Sequence, residues 1–175
     1  MRYYHSSLPP EERLNSPKLC FGMEIQKTSD TVLKKLTEGE ALVFGLLTDS
    51  HYVVNGTWGD TLANISAVND RVGFDGLIHL GDLQDGMLDK KMCRRIATKC
   101  ISDMRHICEP LYMTIGNHDT NYFKGNTEWL TEAEQYGLYG RFMDNYVCRE
   151  KQNGWYYVDY SKHGLRMIFL SSFNH

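Results

Sequence analysis

ALVFGLLTDSH, residues 41–51, decides how the rest of the chain is read. Ala41 to Leu47 form a continuous apolar run, bounded by Gly39 on one side and by Thr48, Asp49 and Ser50 on the other. A short run of this kind between polar stops suits a β-strand buried on both faces, as strands of parallel sheets are. Its carboxyl end delivers the chain directly to Asp49 and His51. The arrangement recurs twice: GLIHL (76–80) runs into Gly81 and Asp82, and LYMTI (111–115) runs into Gly116, Asn117, His118 and Asp119.

The intervening segments read as helices. Val32, Leu33 and Leu36 recur at helical spacing within Thr28 to Leu36, and Gly39 supplies a stop; Leu62, Ile65 and Val68 do the same within Thr57 to Val72, ahead of Gly73. Residues 87–107 carry Met87, Leu88, Met92, Ile96, Cys100, Ile101 and Met104 with basic residues between them, an amphipathic pattern that Pro110 ends. Residues 121–149 are rich in Gly, Asn and aromatics and read mainly as loop, with one short helical stretch over Glu132 to Tyr136. WYYVDY (155–160) and LRMIFLSS (165–172) flank Ser161 to Gly164 as an antiparallel hairpin.

The predicted class is therefore α/β: a mainly parallel sheet with flanking helices and a C-terminal antiparallel hairpin. Strand–helix–strand repetition implies right-handed crossovers, and ligands of such sheets collect beyond the carboxyl ends of the strands. Residues 1–27, with Pro9, Pro10, Pro17 and Gly22, read as a lead-in segment, leaving 28–175 as the domain.

Composition narrows the function. A chain of 175 residues, 42% hydrophobic and with a formal charge of −3, has the size and apolar content of one globular domain. Its charges are mixed, so they lend nucleic-acid binding no support. Cys20, Cys93, Cys100, Cys108 and Cys148 show no CxxC spacing, which argues against a disulfide framework or a structural zinc cluster and for reduced thiols. No apolar run approaches the roughly 18 residues of a membrane span, and the N-terminal residues do not resemble a signal peptide. The expected location is the cytoplasm. No GxGxxG or GxxxxGK[ST] follows a strand, which disfavours a nucleotide-binding domain.

The strand-end residues carry the chemistry. Asp49 and His51, two apart after a strand, project in the same direction if the chain stays extended, so a carboxylate and an imidazole can grip one cation. Asp82 offers two oxygens that can bridge a pair of ions. Asn117 brings a neutral carbonyl oxygen, and His118 a titratable imidazole able to protonate a leaving group. Any one of these clusters alone reads as a turn or a cap. Three at successive strand ends point to a metal-gathering site.

TDSH (48–51), GDLQD (81–85) and GNHD (116–119) resemble the first three signature blocks of the calcineurin-like metallophosphoesterases, with the likeness covering about residues 41–172. The resemblance implies a two-sheet α/β sandwich and hydrolysis of phosphate monoesters or diesters, with a small-molecule phosphate ester as substrate. By it, Asp49 and His51 bind a first metal, Asp82 bridges, Asn117 binds a second, and His118 donates a proton while Asp85 orients it. Two divalent ions about 3.5–4 Å apart would activate a hydroxide for in-line attack. Oxygen and imidazole ligands suit Mn, Fe or Zn.

The family's later Gly-His and Gly-His-x-His blocks do not occur in these 175 residues. The expectation is thus a partial sandwich truncated at the C-terminus, a poorly held second ion, impaired activity, and self-association through an exposed sheet edge. His79, His106 and His163 read as structural or solvated, while His5 and His175, near the termini, are conceivable substitute ligands. GDLQDGM and IGNHD differ from the GDxVDRG and RGNHE of Ser/Thr protein phosphatases, and Leu83-Gln84-Asp85 lacks the tyrosine of purple acid phosphatases. Nucleases share GNHD, so a nucleic-acid substrate stays among the alternatives. So does a non-catalytic metal-binding or interaction module derived from a phosphoesterase.

Overall fold

The computed structural model describes residues 16–150 and 154–171. His5, His175 and the first fifteen residues of the expected lead-in lie outside them. From residue 16 onward the lead-in reading is corrected: a 3-10 turn at Leu19–Phe21 passes into helix α1, Gly22–Leu36. The helix starts six residues before Thr28 because its inward stripe does. Ile25 and Ser29 are buried, and Val32 and Leu36 continue the stripe half-buried.

Strand β1 spans Phe44–Leu47, followed by a short helix α2, Tyr52–Asn55, and by α3, Trp58–Val72. Strand β2 is Gly76–His79, α4 is Lys90–Ile107 and β3 is Leu111–Met113. The three strands are parallel in the order β1-β2-β3, with Leu46, Ile78 and Tyr112 in one row across the sheet. β2 and β3 are buried throughout. β1 is not buried on both faces as its apolar run suggested, because Leu46 at the outer end of that row is 58% exposed. Residues 41–43 only approach the sheet, where Asp75 Oδ2 accepts the Val43 N–H at 2.7 Å.

The alternate row, Leu77 and Leu111, is fully buried in one core with Cys93, Ala97, Cys100 and Met104 of α4. Those four recur every three or four residues, which gives α4 its buried face. The helix starts at Lys90 rather than Met87 because the Asp89 side chain caps it, accepting the Met92 N–H at 2.8 Å. α1 packs on α3, and α3 on α4. All five cysteines are free, three of them buried.

The hairpin forms as expected, with β4 at Tyr156–Tyr160 and β5 at Leu165–Phe169, joined through a 3-10 turn and the left-handed Gly164. It is a second, two-stranded sheet laid against β3: Phe169 stacks between Tyr112 (5.3 Å) and Tyr156 (4.7 Å), and the Tyr156 hydroxyl donates to Met113 O at 2.9 Å. This cover reaches Tyr112 and leaves Leu46 open.

Between β3 and the hairpin, more is ordered than a loop. Helix α5, Glu132–Gln135, runs on through a π-helical turn at Tyr136–Gly140 and a 3-10 turn at Arg141–Met143, burying Leu130, Tyr139 and Met143. Thr131 and Glu134 make a reciprocal capping box. Glu134 also takes hydrogen bonds from Lys90 (3.0 Å) and Arg94 (2.5 Å), tying α5 to α4. The Thr131 N–H and then Lys90 hold its carboxyl down at about 2, against an ordinary 4.5. A carboxyl lowered on folding stabilises the fold above its unfolded value, and this stabilisation fades as pH falls from 4.5 towards about 2. Glu134→Gln keeps a capping side chain but not the charge. Its urea midpoint should therefore fall less steeply than the parent's between about pH 5 and pH 3.

Candidate metal centre

Beyond the strand ends the chain enters backbone geometry that ordinary residues avoid. Asp49, His51 and Asp82 all have left-handed φ values, +50°, +40° and +53°. Neighbouring turns hold them there. The Asp49 N–H donates to Gly81 O at 3.0 Å, the His51 N–H to Asp82 O at 3.1 Å, and the Tyr52 N–H to Leu83 O at 3.1 Å. The first two turns thus zip together as a continuation of the β1–β2 pairing. This corrects the extended-chain argument: His51 and Asp49 meet because the turn is left-handed at both residues, with His51 Nε2 and Asp49 Oδ1 4.0 Å apart.

Asp119 joins the third turn to the second. Its fully buried carboxylate accepts the N–H groups of Asp82 (2.8 Å), Leu83 (2.9 Å) and Gly116 (3.0 Å). Burial pushes this carboxyl up to about 7, opposed by those donors and assisted by the charge of Asp82. Gly116 presses so closely on Asp82 that a Cβ there would overlap its carboxylate and backbone nitrogen. The His118 N–H then donates to Asp82 Oδ1 at 2.9 Å, which orients the carboxylate.

The result is a compact group. His51, Asp82 and His118 each offer a ligand atom within 4.8 Å of the others, all three half-buried. The two imidazoles meet edge to face at 5.0 Å. Asp49 stands at the rim, its side chain 64% exposed. Asn117 shares the turn of His118, and its backbone carbonyl, not the side-chain oxygen expected to bind a cation, accepts the Thr120 hydroxyl at 2.9 Å.

Asp85 lies behind the group, fully buried, and its atoms divide between both histidines. Its carbonyl oxygen is 3.0 Å from His118 Nδ1. A carbonyl can only accept, so that nitrogen carries the proton and Nε2 is left for the centre. The carboxylate turns instead to His51: Oδ1 is 3.6 Å from Nδ1, and Oδ2 accepts the Val53 N–H at 3.0 Å. Asp85 Oδ1 has no hydrogen-bond donor among the described residues. A buried carboxylate behind an imidazole is the common outer support of a metal-ligating histidine.

Two residues support the turns from behind: Asp119, whose inward role the sequence reading did not see, and His79, which it read as structural or solvated. Asp119 is adjacent to predicted ligands, but no spacing rule says that it turns inward to backbone. His79 is fully buried at the end of β2; Gly81 N–H donates to its Nδ1 at 3.2 Å, so Nε2 carries the proton and faces Ser50 Oγ at 2.9 Å. It joins the first turn to the second, and burial lowers its pKa to about 4 with Asp49 opposing. His106 and His163, read as structural or solvated, belong to α4 and to the hairpin turn. Two imidazoles and a carboxylate within reach of one point fit a divalent transition metal, for which such mixed sets are usual.

A parallel α/β sheet that gathers ligand-type side chains on three successive strand-end turns defines a candidate metal-binding α/β domain. The profile of the calcineurin-like phosphoesterases matches residues 42–173, and the chain belongs to that family. Comparison with curated proteins and with solved structures gave no significant match. No helix among the described residues is long and apolar enough to cross a membrane.

Asp119→Asn would turn an amide NH2 towards backbone donors and strand at least one of them. The expected loss is about 2–4 kcal/mol of unfolding free energy, read from urea denaturation. An unchanged midpoint would show that the three turns hold together without this carboxylate.

Proposed function

We propose that this protein hydrolyses small phosphate esters, monoesters or diesters, at the strand-end centre. The observation that carries the reading is the convergence of His51, Asp82 and His118, in a chain of this family, at the edge of the sheet where ligands collect. In the proposal Asp49, His51, Asp82 and Asn117 hold two divalent ions of the Mn, Fe or Zn type, with Asp82 shared. Such ions supply Lewis-acid stabilisation of phosphoryl oxygens and a nucleophile at neutral pH.

The chain's own residues do the rest. Asp82 is held for its task by the His118 N–H on Oδ1, which leaves the remaining lone pairs of the carboxylate to face the centre. His118, with Nδ1–H against the Asp85 carbonyl, presents Nε2; when protonated it can give that proton to the departing alkoxide. Asp85 positions this imidazole through its backbone, and its carboxylate lies behind His51, 3.6 Å from Nδ1.

A second reading, a metal-binding module without catalysis, is favoured by the compactness of the three-residue group, which fits one ion. Within these residues a second ion rests on Asp82 and Asn117 alone. Calorimetric titration with Mn, Fe(II) or Zn, paired with turnover of an aryl phosphate, separates the two. Two ions with turnover support hydrolysis, and one tight ion with none supports the module. Asp82→Asn should lower metal-dependent turnover by more than about a hundredfold, beyond the loss typical of an outer-shell partner. Undiminished turnover in that variant would remove Asp82 from the site.

A further inference from the structure

The carboxylate of Asp85 is only half hydrogen-bonded. The residue is 1% exposed, so bulk water does not reach it. Its Oδ2 accepts the Val53 N–H at 3.0 Å, which fixes the plane of the group, while Oδ1 meets no donor among the described residues. A buried carboxylate oxygen without a donor is costly, and native structures keep few of them.

An imidazole faces that oxygen. His51 Nδ1 lies 3.6 Å from Oδ1, about 0.6 Å beyond an ordinary N–H···O bond. The His51 side chain is 25% exposed, so a small turn of the ring closes this gap without disturbing the core. On its other side, Nε2 is 4.0 Å from Asp49 Oδ1. A neutral imidazole has one N–H to give, and the two carboxylates do not need it equally. Asp49 is 64% exposed and solvated, whereas Asp85 is sealed off, and an unpaired charge costs far more out of water than in it. His118 does not compete for the oxygen, because its Nδ1 donates to the backbone carbonyl of Asp85 at 3.0 Å, a contact that no change of the Asp85 side chain removes.

We propose that the Asp85 carboxylate is the positioning group of His51 and not of His118. Oδ1 takes the Nδ1–H of neutral His51, which leaves Nε2 bare and turned towards the centre, and through that ring Asp85 sets the affinity for a divalent ion. The proposal rests on the metal-binding part of the reading above, but the tautomer it assigns needs neither ion nor substrate.

Asp85→Asn is the test, because an amide offers one acceptor oxygen where the carboxylate offers two. If that oxygen keeps the Val53 N–H, the amide NH2 faces His51 and demands an acceptor at Nδ1, which moves the ring proton to Nε2. Ring nitrogen chemical shifts of the metal-free protein at alkaline pH, where histidines are neutral, should place the proton on Nδ1 of both His51 and His118 in the parent. In Asp85→Asn, His51 alone should change tautomer. Zinc affinity, measured by calorimetry, should fall roughly ten- to hundredfold in the variant, the usual loss for an outer partner of a ligand. The parent spectrum already decides much, and does so whether or not the variant folds: a His51 proton on Nε2 overturns the proposal. Unchanged zinc affinity in Asp85→Asn, or a tautomer change confined to His118, overturns it as well. A parent that binds no zinc, with His51 switching tautomer as expected, would leave the positioning role standing and remove the metal centre.

Discussion

The carboxylate of Asp119 is the constraint on which the centre depends. It accepts three backbone N–H groups from two different turns while fully buried, and those donors replace water only in part, since burial still raises the carboxyl to about 7. Asp49, His51 and Asp82 occupy left-handed backbone, which persists only where the surroundings over-determine it. Asp119 on one side and the His79–Ser50 contact on the other supply that determination. Local strain at the front of the site is thus balanced by hydrogen bonds behind it.

The centre is consequently buried at the back and open at the front. Asp85, His79 and Asp119 are buried, whereas His51, Asp82 and His118 are half-buried and Asp49 is exposed. The backbone does much of the orienting: a carbonyl selects the proton-bearing nitrogen of His118, and an amide N–H sets the plane of Asp82. The sheet shows the same graded cover. Its middle strand is sealed, the Tyr112–Phe169–Tyr156 stack covers β3, and Leu46 on β1 stays in water.

Where the sequence reading fell short, the causes are specific. α1 was placed six residues too late because Pro17 and Gly22 were read as breakers, although Ile25 lies seven residues before Val32 on the same stripe. The helical stretch expected over Glu132 to Tyr136 is present as α5, but the rest of residues 121–149 read as loop because their order comes from tertiary hydrogen bonds, not from hydrophobic periodicity. β1 read as doubly buried because an apolar run does not say whether both of its faces find partners. Asp85 was expected to orient His118 by its side chain, whereas the contact between them runs through the Asp85 carbonyl.

By itself the sequence determined the alternation of strands and helices, the parallel order that follows from it, the hairpin, and the placing of Asp49, His51, Asp82, Asn117 and His118 at strand ends. Those follow from periodicity and punctuation, which are local and survive in one dimension. Only the tertiary structure decided that His51, Asp82 and His118 offer ligand atoms within reach of one another, and that Asp119 and His79 turn inward to hold the turns that carry them. Such facts depend on side-chain direction in left-handed turns and on hydrogen bonds between residues some thirty-seven positions apart, as in Asp82 and Asp119. No pattern along the chain encodes either one.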